Sequence, residues 1–358
     1  MDSAPASSEQ MADPAAQDSD LKKSRSKGKK VLIGCGSSFV VFALVVAALG
    51  YVYGPSSLAF ITGEPRYLFK PSPQKYAKDV LRIADVMAIY RGSEDYARAK
   101  EEIKPQIKEA KSYEDVYEPL RTALKAGGGK HSNLITPDDA QPATEENSEA
   151  PQVSASGDIG IVRLPELGIG EYGQTYADIV SKGLIDNATC GAIVDLRGND
   201  GGDMGPMVAG VSPLLPDGVV LSFVGGAFDS DVTVTGNSVQ GGGTPTTTNG
   251  GKLDIPVAIL TDRDTASSAE ATLLAFRGLD FARSFGAPTA GYASANSYFT
   301  LADGAGVMIT VSNDQARTGE VFGDDPIPPD VEITGDDPKA VEDAALQWLA
   351  SKGCSPAL

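Results

Sequence analysis

The chain is poor in metal ligands and in cysteine: its 358 residues hold one histidine, His131, and three cysteines, with no Cys-x-x-Cys pair. That excludes the common multi-histidine zinc centres and a disulfide scaffold, and no cofactor motif is visible. Basic charge is also short. Thirty Lys and Arg stand against 48 acidic residues, a net charge of −18, which argues against nucleic acid as a partner because phosphates need cations to neutralise them. The acidity is compatible with solubility alone, and it would also attract cationic peptides. Cys35 lies in an apolar run, which leaves Cys190 and Cys354 for the rest of the chain. Whether those two pair is open, because spacing carries no geometry. A hydrophobic share of 41% is ordinary for a folded protein, and the length suits an anchor plus one or two domains.

Residues 31–53, from Val31 to Tyr53, contain no charged side chain. At about 1.5 Å per residue such a helix crosses roughly 30 Å of hydrocarbon. Lys22, Lys23, Arg25, Lys27, Lys29 and Lys30 precede it, and the first charge afterwards is Glu64. This asymmetry predicts a cytoplasmic basic tail over 1–30, a single-pass anchor over 31–53, and an extracellular remainder on a cell membrane. A cleaved signal peptide has a shorter apolar stretch, about 7–15 residues. Leu32-Ile33-Gly34-Cys35 looks like a lipoprotein cleavage box, but only Lys29 and Lys30 precede it.

Residues 60–130 read as a small helical subdomain. Val80, Ile83, Met87 and Tyr90 share one helical face, a second segment starts near Ser93, and a third opens with Ser112 and Asp115 before stopping at Gly127-Gly128-Gly129. Residues 131–157 read as a loop, with a flap over a groove as the alternative. From 158 to 358, short apolar strands (159–164, 191–196, 219–224, 256–261) alternate with helices (174–185, 204–214, 267–278, 338–351), which predicts an α/β core with both sheet faces covered. The Gly- and Thr-rich stretch 235–251 reads as a loop or hairpin.

Three segments carry chemistry. Val194-Asp195-Leu196-Arg197-Gly198-Asn199-Asp200-Gly201-Gly202 is a buried strand entering a glycine-rich turn whose backbone can approach a ligand. Thr265-Ala266-Ser267-Ser268-Ala269-Glu270 leaves a strand and enters a helix. A serine there is either an N-cap or a nucleophile beside helix N–H groups. Gly127-Gly128-Gly129-Lys130-His131-Ser132 frames the only histidine, which is either incidental or the base such a serine needs.

Taken together, these segments, with Gly286-Ala287-Pro288-Thr289-Ala290-Gly291 and Pro329-Asp330, resemble the tail-specific, or C-terminal-processing, serine peptidase family over about 127–333. The resemblance implies a crotonase/Clp-protease-like α/β core. Many members use a lysine just after the Gly-x-Pro-Thr-x-Gly segment. Tyr292 stands there, and only Lys339 and Lys352 follow Ser267. The Gly-Lys-His-Ser loop is instead similar to the histidine-using branch without a PDZ insertion, which includes the tricorn core and the nisin-resistance proteins. That branch implies Ser267 as nucleophile, with Ser268 second, and His131 as base. It implies oxyanion donors from the Ser268 N–H and from Gly201 or Gly202. Glu320 is the implied orienting group for His131, with Asp325 second and a bare dyad as the alternative.

The expected activity is cleavage of a peptide near its C-terminus at the outer membrane face, with a cationic lantibiotic of the nisin kind as one candidate partner. General processing of surface proteins is an alternative. An inactive peptide-binding or sensor module is another, and an acyl-transfer enzyme on the related crotonase-like fold is a third.

Overall fold

Apolar side chains on both faces of a strand require cover on both sides, and the central sheet meets that requirement. The computed structural model describes residues 42–139, 149–226, 229–335 and 337–357. In it β2 (Gln152–Ser156), β3 (Ile159–Arg163), β4 (Gly191–Asp195), β9 (Val257–Thr261), β10 (Ala282–Gly286) and β14 (Val331–Glu332) form a sheet in the order β14-β10-β9-β4-β3-β2. All neighbours are parallel except β2 with β3. Alternate residues of β4 and β9 point to opposite faces. Ala192, Val194, Val257 and Ile259 pack under α5 (Tyr172–Asn187), α6 (Met204–Val211) and α7 (Ser268–Phe276). Ile193, Ala258 and Leu260 meet α8 (Pro338–Ser351) through Val341, Ala345 and Leu349. The strands expected at 159–164, 191–196 and 256–261 and the four expected helices are therefore present, whereas the strand expected at 219–224 belongs to a second sheet.

The second sheet is antiparallel and spans the middle of the molecule. Its order is β1-β12-β5-β6-β7-β8: β1 (Asn133–Ile135), β12 (Gly306–Ala316), β5 (Gly218–Val224), β6 (Ser230–Thr235), β7 (Ser238–Gln240) and β8 (Thr246–Thr247). β11 (Ser294–Thr300) and β13 (Val321–Phe322) also pair with β12. The 235–251 stretch is thus a short hairpin. The loop expected over 131–157 needs correction. β1 leaves it to pair with β12, and β2 leaves it to pair with β3, because backbone polar groups here find partners in both sheets. Residues 140–148 lie outside the described set.

Helix α1 (Phe42–Thr62) continues past the expected end at Tyr53, and residues 31–41 lie outside the described set. Its second half leans on α2 (Pro73–Met87), where Ala59 joins the same core as Tyr76, Val80 and Ile83. Lys75 and Arg82 of α2 both donate to the carbonyl of Val52, and Lys75 also bonds buried Asp79 at 2.6 Å. Ser72 and Ser93 cap α2 and α3 (Glu94–Glu109) by accepting from Lys75 N and Tyr96 N. Asp115, in the first turn of α4 (Glu114–Gly128), accepts from Ser112 N at 3.0 Å. The apolar faces of these helices share their core with Leu134, Phe299, Val307 and Ile309 of the antiparallel sheet. Cys190 and Cys354 are bonded, joining the start of β4 to the end of the chain after α8.

Candidate active site

Three turns leave the carboxyl ends of β4, β9 and β10, the edge of a parallel sheet where ligands are generally held. The turn after β9 carries Ser267, with φ 52° and ψ −116°, the one non-glycine residue at positive φ among the described residues. Holding an L-residue there costs roughly 1–3 kcal/mol and needs support from its surroundings. The Ser267 N–H donates to Glu270 Oε2 at 2.8 Å, and Ala266 N–H donates to Asn199 O at 2.9 Å. Thr265 Oγ1 donates to Leu196 O at 3.0 Å, so the turn after β4 and the turn after β9 are fixed to each other.

Glu270 is the knot of this region. Its fully buried carboxylate also accepts from Gly291 N at 2.9 Å, from Tyr292 N at 2.7 Å and from the Thr289 hydroxyl. Burial raises its pKa, and these hydrogen bonds oppose the rise. The motif around Ser267 and the Gly-Ala-Pro-Thr-Ala-Gly turn thus meet on one side chain.

Glycine is required in the turn after β4. Gly201 has φ 118°, and a Cβ there would come within 2.8 Å of Ser267 Cβ. Gly202 has φ 109°, and a Cβ would collide with Leu167 O at 1.9 Å. Gly201 N–H already donates to Asn199 Oδ1 at 2.9 Å. The expectation that either glycine could supply an oxyanion donor therefore narrows to Gly202. Ser268 Oγ donates to Gly202 O at 2.6 Å, which holds the start of α7 against this turn.

His131 arrives from the opposite side, in the loop between α4 and β1. Ser132 pins the loop: its hydroxyl donates to Gly128 O at 3.0 Å and accepts from Thr310 N at 2.9 Å. Lys130 N donates to Asp324 Oδ2 at 3.2 Å, and Lys130 Nζ to Ala290 O at 2.8 Å. The imidazole packs edge-on against Tyr292 with ring centroids 4.9 Å apart. Tyr292 therefore walls the histidine. His131 Nδ1 lies 3.0 Å from Ser294 Oγ and 3.0 Å from Asn296 Nδ2, while Thr310 Oγ1 donates to Asn296 Oδ1 at 2.9 Å. Burial pulls the His131 pKa down to about 4, with Asp324 raising it and Lys130 lowering it further.

Glu320 sits elsewhere. Its carboxylate is paired with Arg277 Nε at 2.8 Å and Nη2 at 2.9 Å, which holds its pKa down to about 2. A bidentate guanidinium partner takes both oxygens, so the expected contact with His131 is replaced by Ser294 and Asn296. Sequence reasoning missed those two. The register of β11 on β12 shifts between Ala295 and Asn296, passing over Val311, and nothing in the local sequence announces it. Ser267, Ser268, Gly202, His131, Ser294 and Asn296 line one cleft of about 570 Å³.

Comparison with known proteins gives this cleft its context. The model of peptidase family S41 matches residues 158–333. The nisin-resistance protein of Lactococcus lactis subsp. lactis is 31% identical over 329 residues, 91% of this chain and 98% of that protein. The chain belongs to peptidase family S41. A solved lipoprotein from Streptococcus agalactiae is 25% identical, with a TM-score of 0.69 over 80% of this chain and 99% of its own. The photosystem II D1 C-terminal processing protease, 15% identical, shares the fold with a TM-score of 0.52 over 77% of this chain and 98% of its own. This S41 chain is accordingly a member of a serine peptidase family, with the α/β core expected of it and a helical N-terminal region.

Proposed function

We propose that the protein is a membrane-anchored serine endopeptidase that removes a short C-terminal piece from a peptide of the nisin kind, by a Ser267–His131 mechanism. The observation that carries this reading is the strained Ser267, held at positive φ at a strand-to-helix turn in the cleft that His131 also lines. Such a turn lifts a hydroxyl toward the substrate. Ser267 Oγ attacks the peptide carbonyl while His131 Nε2 takes its proton and passes it to the leaving amine. The N–H groups of Ser268 and Gly202 face the developing oxyanion.

For Nε2 to be free as base, Nδ1 must carry the proton and donate it. Ser294 Oγ supplies an acceptor. A half-turn of the Asn296 amide supplies a second, with Thr310 Oγ1 then accepting from the amide nitrogen, since a hydroxyl does either.

The anchor reading is supported by α1, whose apolar side chains from Phe42 to Leu49 are exposed. Because Lys75 and Arg82 grip the Val52 carbonyl, the hydrocarbon-spanning stretch ends before residue 52. The uncharged sequence from Val31 to Tyr51 keeps the roughly 20 residues that a span needs. The five lysines and Arg25 that precede it favour a catalytic part outside the cell, where a Cys190–Cys354 bond would persist.

The full chain, with Ser267→Ala and His131→Ala, is incubated with nisin and with linear peptides, and the products are read by mass. C-terminal truncation of nisin that both substitutions abolish is the expected result. Cleavage surviving both sinks the dyad, binding without cleavage favours a binding module, and cleavage of linear peptides alone favours general processing.

A further inference from the structure

Two carboxyl groups in the cleft are left incomplete by the protein itself. Asp203 and Asp314 are each 2% exposed, both line the cleft with Ser267, and each keeps one oxygen (Asp203 Oδ2 and Asp314 Oδ1) without a hydrogen-bond partner. Asp203 is rigidly held, because its Oδ1 caps α6, accepting from Gly205 N at 3.3 Å and from Thr244 N at 2.8 Å. Asp314 comes from β12, opposite Phe223 of β5, with its N–H on Ala293 O at 3.1 Å. Buried carboxyl oxygens are almost always satisfied, so two buried and unpartnered ones on residues lining one cleft need a reason. No Lys or Arg is among the residues that line it. Met204, Phe223, Ala271 and Met308 supply apolar wall between the polar groups.

A long aliphatic stem with a cationic tip complements such a surface. We propose that this part of the cleft is a specificity subsite for a lysine or arginine side chain of the peptide beside the bond that Ser267 attacks, its cationic tip taken by Asp203 Oδ2 and Asp314 Oδ1. The inference rests on the peptidase reading above. Burial, and then the nearby Glu270, raises the Asp314 pKa, and a cation seated beside it would oppose that rise.

The test uses the full chain and a peptide series with one lysine, or norleucine in its place, at each position around the cleaved bond. The unaltered protein is expected to prefer lysine at one position by about 100-fold in kcat/KM. Asp203→Asn and Asp314→Asn should each lose most of that preference, read within each variant as the ratio of kcat/KM for the lysine and norleucine peptides. Asparagine retains the cap at 203, and Asp314→Leu, which removes the buried carboxyl, is the second variant if Asp314→Asn misfolds. Equal cleavage of both peptides, or a preference that survives both substitutions, overturns the subsite. If no peptide is cleaved, the peptidase reading fails, and the ratio of binding affinities for the lysine and norleucine peptides still decides the subsite.

A second surface is independent of the cleft. Lys75 Nζ lies 5.5 Å from the Tyr51 ring and 5.6 Å from the Tyr67 ring, so the chain after α1 doubles back to the level of Tyr51. The next two residues, Leu68 and Phe69, are 94% and 82% exposed. Tyrosines beside a span mark the headgroup level. We infer that Leu68 and Phe69 insert at the headgroup boundary of the bilayer, which fixes the tilt of the domain on the membrane. This rests on the anchor reading. Phe69→Trp in the full chain is reconstituted in vesicles with shallowly brominated lipid, the unaltered chain with its sole Trp348 being the baseline. Quenching of the new indole alone is expected. A chain that floats with the vesicles but shows no such quenching overturns this contact, and one that does not float overturns the anchor and the contact together.

Discussion

The backbone N–H of Ser267 and the carboxylate of Glu270 meet at 2.8 Å, and that bond links the strained serine to the turn that walls His131. The same carboxylate takes the N–H groups of Gly291 and Tyr292, and Tyr292 lies against the imidazole. Glu270→Ala therefore leaves several buried donors unmatched. Expected is a loss of roughly 3 kcal/mol or more in stability, read by denaturant unfolding. Glu270→Gln should recover little, because its amide nitrogen would face N–H donors.

The conformation of Ser267 separates stability from activity. Ser267→Gly removes the positive-φ penalty and should stabilise the fold by roughly 1 kcal/mol. It should also abolish peptide cleavage. A destabilised glycine variant in thermal unfolding would mean that the serine conformation is not strained.

His131 predicts an unusual pH profile. The proposed base must be neutral to act, and burial lowers its pKa to about 4, so activity should hold as pH falls through 6.5 and decline only near 4. Asp324 raises this pKa, so Asp324→Asn should move the acid limb of kcat/KM to lower pH still. An acid limb near 6.5 in the unaltered protein contradicts the burial seen here.

In the proposed mechanism Ser294 and Asn296 orient the imidazole, which both contact. Asn296→Ala should lower kcat by about 10- to 100-fold with little change in KM, by loosening the ring and its tautomer. An unchanged kcat would leave orientation to Ser294 alone, which Ser294→Ala then tests.

The Cys190–Cys354 bond joins residues 164 apart in sequence and closes a loop that holds β4, β9, β10 and β14 of the parallel sheet. Replacing both with serine is expected to lower stability by roughly 2–4 kcal/mol. Unfolding with and without reductant measures the effect, which should leave kcat nearly unchanged because the bond is remote from the cleft.

Much of this protein is determined locally, and those parts were readable. Continuous apolar strands such as Gly191–Asp195 and Val257–Thr261 call for cover on both faces, and Ser93 followed by Glu94 and Asp95 marks a helix start from neighbouring residues alone. The apolar stretch with its basic flank is equally a property of adjacent residues. The segments around Ser267, His131 and Gly202 were recognisable because each must itself be a glycine-rich or strand-to-helix turn. What no segment contains is its partner. Asn296, beside a register shift, reaches His131 across 165 positions; Glu320 goes to Arg277 instead; and Gly201 yields its N–H to Asn199. Only the tertiary structure decided these, since hydrogen bonds and burial depend on where two sheets bring distant side chains. Sequence spacing carries no such distance.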